Sequence, residues 1–241
     1  MTTIILFVLS IISAFTLSYL PGRIISKKLF LEYPEIQFPA SFLLSFIIYY
    51  IFSYIIYFLN IDFHHAGKSF ALIVLIFPLF TKYIDFKTIW DDDKIFLKKY
   101  FLIYIFFIAA SSGIRVFDGG GWYGDWYEHY QRTLFFLDRL SADTKFIGLY
   151  ILPARPPFFN LTGAFFLSIF GKEFYNFQII SVLFNSSIIL SVIMIFNFLK
   201  KYYLLNRINN NLIYIFILLP FFQINIIFAV TKFLAGAYLI S

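Results

Sequence analysis

Apolar residues in this chain come in blocks close to bilayer length, and few folds can accommodate that. Residues 3–20, 39–59, 69–84, 96–112, 174–199 and 212–228 are near-continuous apolar runs. A helix needs roughly 20 such residues to cross a hydrocarbon layer of about 30 Å. Composition agrees. Of 241 residues, 61% are hydrophobic and only 13% charged, where a soluble domain carries about 25% charged residues, and mean hydropathy is +0.83. The alternation of a membrane β-barrel is absent from the sequence. The expected fold is all-α, a polytopic transmembrane helical protein. With no cysteine, disulfides, thiolate metal sites and cysteine nucleophiles are excluded. The first block lacks a basic leader and a small-x-small cleavage site and is long enough to span, so it reads as a retained helix ended by Pro21-Gly22.

The net charge of +6 belongs to membrane topology rather than to a nucleic-acid surface, because the positives lie between apolar blocks. Arg23, Lys27 and Lys28 follow the first block. Lys82, Lys87, Lys94, Lys98 and Lys99 separate the third from the fourth, and Lys200, Lys201 and Arg207 follow residues 174–199. If positive loops face the cytoplasm, the N-terminus and the stretch 113–157 face outward. That assignment holds for Lys200 and Lys201 only if residues 158–170 do not cross. Thirteen residues make a helix of about 20 Å, so this segment is expected to be juxtamembrane or re-entrant, buried against protein. The final apolar run, 233–241, is shorter than a span, so the chain is expected to be the N-terminal part of a longer protein. No inverted internal repeat of the transporter kind is visible. Asp91-Asp92-Asp93 reads as a helix start with acids at the positive dipole end. Asp62, His64, His65 and Lys68 read as an ordinary polar turn.

Residues 113–157 are a polar island that gathers Asp118, Asp125, Glu128, His129, Arg132 and Arg155. Gly119-Gly120-Gly121 is no phosphate-binding loop, since no Gly-Lys-Ser/Thr follows. From Asp125 the pattern turns helical. Trp126, Tyr130, Leu134 and Leu137 make an apolar stripe, while Asp125, Glu128, His129 and Arg132 share a polar face. The helix is expected to lie flat at the interface. Two readings of that face stand. Asp125 can be an N-cap with Glu128 as its partner three residues on, and Arg132 can pair with Glu128. Alternatively Asp125 is a general base at the membrane surface, with His129 orienting it, contacting a phosphate or helping to hold a divalent cation. Asp118 is the second candidate base, or a turn residue before the glycines. Arg155-Pro156-Pro157 starts the next helix; its arginine suits a phosphate or a lipid headgroup. Lys232 marks a helix end or neutralises a lipid-linked phosphate. The sequence specifies no metal-ligand set. The acceptor patterns at Asn160 and Asn185 lie in apolar segments and are set aside.

The order of parts is an acidic residue on an outer-loop helix in GDWYEHYQRTLFFLDR, then the Pro-Pro turn and short helix of LPARPPFFNLTGAFFLSIFG, then a span ending in a basic cluster. Over residues 99–239 this resembles the GT-C superfamily of membrane glycosyltransferases, notably its protein O-mannosyltransferase and aminoarabinose-transferase-like branch. The resemblance implies a GT-C-like core over 96–241 preceded by N-terminal transmembrane helices over 1–95. It also implies a polyprenyl-phosphate sugar donor and a glycan, lipid or protein acceptor at the outer face of a prokaryotic plasma membrane. Asp125 or Asp118 would be the base, and Glu128, His129, Arg132, Arg155 and Lys232 would contact substrate. The sequence departs from that pattern in having Trp126 where a second acid often stands and Arg155 where histidine is common. The alternative is a non-catalytic transporter or flippase subunit for lipid-linked saccharides, which should carry ionisable residues inside its spans.

Overall fold

The computed structural model describes residues 2–80, 86–111, 123–146, 148, 151–152 and 157–202. Seven helices occupy them: α1 (Thr2–Leu29), α2 (Pro34–Phe58), α3 (Phe63–Phe80), α4 (Phe86–Ser111), α5 (Tyr123–Asp138), α6 (Phe158–Phe170) and α7 (Phe174–Tyr202). Three of these are long and apolar enough to cross a membrane, over Ile4–Leu29, Pro34–Phe58 and Phe174–Ser191. The sequence pattern places spans in α3 and α4 as well. The apolar part of α3, Phe63–Phe77, is shorter, and α4 opens with a charged half holding Asp91, Asp92, Asp93, Lys94, Lys98 and Lys99. Ile5, Leu9 and Ile12 of α1, Leu43, Ile51 and Ile55 of α2, and Leu72 of α3 are exposed. Apolar surface on this scale has hydrocarbon as its natural solvent.

α1 does not stop at Pro21-Gly22 but continues to Leu29, and α2 explains why. A proline inside a helix leaves the carbonyl four residues back without its donor. Here the Tyr49 hydroxyl of α2 donates to Leu17 O at 2.8 Å. The Gly22 N–H donates to Ser45 Oγ at 2.9 Å. Glycine is also required at 22 by space, since a Cβ there would lie 1.8 Å from Ser41 O. Small residues thus let two backbones close up, and the Ser26 and Ser41 hydroxyls, 2.9 Å apart, tie the seam.

α6 occupies the centre. Residues 159–168 are all buried, and the helix packs against α2, α3, α5 and α7. Tyr49 stacks on Phe165 at 4.1 Å. A Cβ at Gly67, in the second turn of α3, would lie 1.9 Å from Ser168 Oγ. α4 joins α7 through buried hydroxyls: Tyr100 donates to Leu183 O at 3.2 Å and Tyr104 to Ile179 O at 3.3 Å.

Contacts sort the helix ends into two groups. At one end Arg139, just past α5, donates to Ile56 O at 2.7 Å and Ile61 O at 2.6 Å, bonds the Asn60 side chain and faces the Tyr57 and Phe63 rings. Asn60 and Arg139 both take left-handed φ, 59° and 52°, as each turns the chain out of a helix. Lys172 pairs with Asp138 at 2.5 Å at that same end. At the other end Lys201 meets Glu35 at 3.1 Å. α7 therefore runs the length of the bundle. α6 does not: its last turn meets the start of α3, while Phe158 packs against Phe184. Phe184 lies ten residues into α7, about 15 Å at 1.5 Å per residue.

Candidate functional site

The polar island reaches the described fold through α5. Asp125 lies in the first turn of that helix. Asp118, Arg155 and Lys232 fall outside the described residues. Glu128 and Arg132 come together as an i,i+4 ion pair and are 8% and 4% exposed. This is the intrahelical pairing open to them in the sequence. Buried charge is tolerable when it is paired in this way. The apolar side of α5 meets protein: Tyr130 packs on Phe174 and Phe177 and donates to Lys172 O at 2.5 Å.

His129 sits one residue beyond Glu128, and its ring stands edge-on to Phe159 of α6 at 6.2 Å. Its carbonyl accepts from Thr133 Oγ1 at 2.8 Å and Asn160 Nδ2 at 3.0 Å. Asn160 also reaches Thr133 Oγ1 at 3.2 Å. Gly163 lets the helices approach, since a Cβ there would lie 3.1 Å from Thr133 Cγ2. The turn that carries Glu128, His129 and Arg132 is thus clamped to α6 by buried polar contacts. Asn160, set aside in the sequence as an unused acceptor pattern, is the clamp. A polar residue in an apolar helix was its only signal, and that signal is generic.

A second polar cluster lies at the opposite end, and sequence reasoning separated its members. Arg23 of α1 is 2% exposed and Asp93 of α4 is 5% exposed. Arg23 Nε meets Asp93 Oδ2 at 2.5 Å, and Arg23 Nη1 donates to Gln37 Oε1 at 2.7 Å. The Tyr19 hydroxyl donates to Asp93 Oδ2 at 2.5 Å. Burial pushes the Asp93 carboxyl above its ordinary value, while the Tyr19 hydroxyl and Arg23 guanidinium pull against it. Asp93 is therefore not a dipole-facing residue at a helix start. α4 begins earlier, at Phe86, which turns Asp93 inward to meet a buried guanidinium. Arg23, Gln37 and Asp93 line a cavity of about 590 Å³ with Pro34, Glu35, Phe38, Pro39, Asp92, Phe96, Ile193 and Lys201.

Among the described residues no group of three or more His, Asp or Glu side chains converges as a metal ion needs. Asp62 caps α3 instead, accepting from the His65 and His64 amides at 3.1 and 3.3 Å. The hydrogen-bonded His65 ring and these amides hold its carboxyl down at about 2. Fold and clusters together define a helical bundle with three helices capable of crossing a membrane and a polar assembly at each end. No family model, curated protein or solved structure matches the chain.

Proposed function

We propose that the chain is part of a GT-C-type glycosyltransferase, with the start of its membrane-embedded core at residues 96–241. It would draw sugar from a polyprenyl-phosphate donor at the outer face of a prokaryotic plasma membrane. One observation carries the reading: the helix that bears Asp125 is clamped onto a short buried helix that begins about 15 Å inside the bundle. Such a helix draws the end of the polar island in against the bundle, where a lipid-linked donor would be held. Asp125 then takes the proton of an acceptor hydroxyl as that oxygen bonds to the anomeric carbon. The polyprenyl phosphate departs with the bonding electrons, its charge met by Arg155 and Lys232. Glu128 keeps Arg132 in place, and Asp118 is the alternative base. The acceptor is a glycan, a lipid or a protein.

The test is sugar transfer by the full-length protein in membrane vesicles. Asp125→Asn is expected to lower turnover about a hundredfold or more, the range of general-base loss. Asp125 is the third residue of α5 rather than its N-cap, and asparagine keeps the shape of aspartate there, so a structural role alone predicts little change. Arg155→Ala is expected to raise the donor KM instead. If both Asp125→Asn and Asp118→Asn retain normal turnover, the mechanism is wrong. The Arg23–Asp93 pair buried among the helices favours a second reading, a transport or flippase subunit. Substrate movement that survives both aspartate substitutions would select it.

A further inference from the structure

The cavity at the Arg23 end is not explained by sugar transfer at the α5 end. Two cations, Arg23 and Lys201, line it together with three carboxylates, Glu35, Asp92 and Asp93. Arg23 is taken by Asp93 and Gln37. Lys201 holds both oxygens of Glu35 at 3.1 Å. Among the described residues that line it, one carboxylate is left in excess. Among the described residues Asp92 meets a cation only at 3.9 Å, from Arg23 Nη2, and its side chain is 51% exposed. The Phe38 and Phe96 rings, 5.5 Å apart, form an aromatic wall beside it.

We propose that this cavity binds a primary ammonium group, supplied by a lipid headgroup or by a free amine. The excess negative charge disfavours an anion. A hard dication needs several converging oxygens, and no such acidic group gathers among the described residues. An ammonium needs one carboxylate and gains from an aromatic face. The volume, about 590 Å³, lies within the usual range of small-ligand sites, roughly 300–1,000 Å³. Exposed Lys28, in the last turn of α1, and Lys98 of α4 suit the phosphate of a zwitterionic headgroup whose amine enters the cavity.

Native mass spectrometry of the full chain in detergent tests this with phosphatidylethanolamine against its N-acetylated form, which keeps the phosphate and loses the ammonium. Wild type is expected to retain the free-amine lipid about fivefold better, the scale of one partly exposed ion pair. Asp92→Asn should reduce retention to the N-acetyl level, Asp92→Glu should restore it, and Asp143→Asn, at the other end, should change nothing. Ethanolamine alone, added to a thermal melt, assigns the source: a shift in wild type but not in Asp92→Asn marks a soluble amine, and binding confined to the lipid marks the headgroup. Equal retention of the two lipids by wild type overturns the proposal without reference to any variant. So does an undiminished amine preference in Asp92→Asn.

Discussion

Arg23 is the residue whose removal should be felt most. It is 2% exposed, with Nε at 2.5 Å from Asp93 and Nη1 at 2.7 Å from Gln37. Arg23→Met keeps the length and apolar stem but leaves the Asp93 carboxylate buried with only the Tyr19 hydroxyl. Stranding one member of a buried pair costs about 3–5 kcal/mol. Asp93→Asn strands the guanidinium and should cost a similar amount. The double variant Arg23→Met/Asp93→Asn leaves no charge behind, and replacing a whole buried pair is often close to neutral. The two losses should therefore not add, and the double variant should cost less than either single one. Tyr19→Phe removes one hydrogen bond to a charged group and should cost about 1.5–3 kcal/mol. Unfolding in mixed micelles, followed by far-ultraviolet circular dichroism during detergent titration, measures all four. Single losses below about 1 kcal/mol, or strict additivity, would show that the pair is solvated and that the packing of α1 against α4 is wrong.

The glycines make a paired prediction. Gly22→Ala sets a Cβ against the backbone oxygen of Ser41 at 1.8 Å, which cannot rotate away, so the loss should exceed the ~1–3 kcal/mol of ordinary overpacking. Gly67→Ala meets the Ser168 hydroxyl at 1.9 Å. A side chain can move, so the loss should be smaller and Ser168→Ala should recover part of it; the same detergent titration reads both, and equal losses would refute the distinction. For Asp93, a carboxyl held above its unfolded value of about 3.9 binds its proton more tightly in the folded chain. Its contribution is greatest below that unfolded value and is lost as pH rises to the raised folded one. Wild type should therefore lose stability relative to Asp93→Asn across that window; a gain would mean that the facing Arg23 and Tyr19 outweigh burial and the nearby Asp92.

Local signals were readable in the sequence and tertiary ones were not. The bounds of α6 follow from Pro156-Pro157 before it and Gly171 after it, which has a φ of 101° that disfavours side chains. The Glu128–Arg132 pair follows from spacing on one helix. By contrast, Pro21-Gly22 reads as a stop because a sequence cannot show that Tyr49 and Ser45, on another helix, supply what the proline removes and hold the glycine. Asp93 reads as a helix-start residue because its partner is 70 positions away. α3 starts at Phe63 rather than Ser69 because Asp62 caps it, a signal lost when only the apolar run is counted. The α5–α6 clamp depends on Asn160, whose value lies in what it faces.

The proposed activity rests on α6 turning back inside the bundle, with α5 at one end and the Arg23 cluster at the other, and the proposed topology sets those two ends on opposite membrane faces. The chain has no cysteine, so single cysteines report sidedness cleanly. With Lys28→Cys, Ala142→Cys and Lys201→Cys in intact cells and an impermeant maleimide, position 142 should label at once. Positions 28 and 201 should label only after permeabilisation. Labelling of 201 together with 142 in intact cells would mean that α6 crosses, and the account would fail.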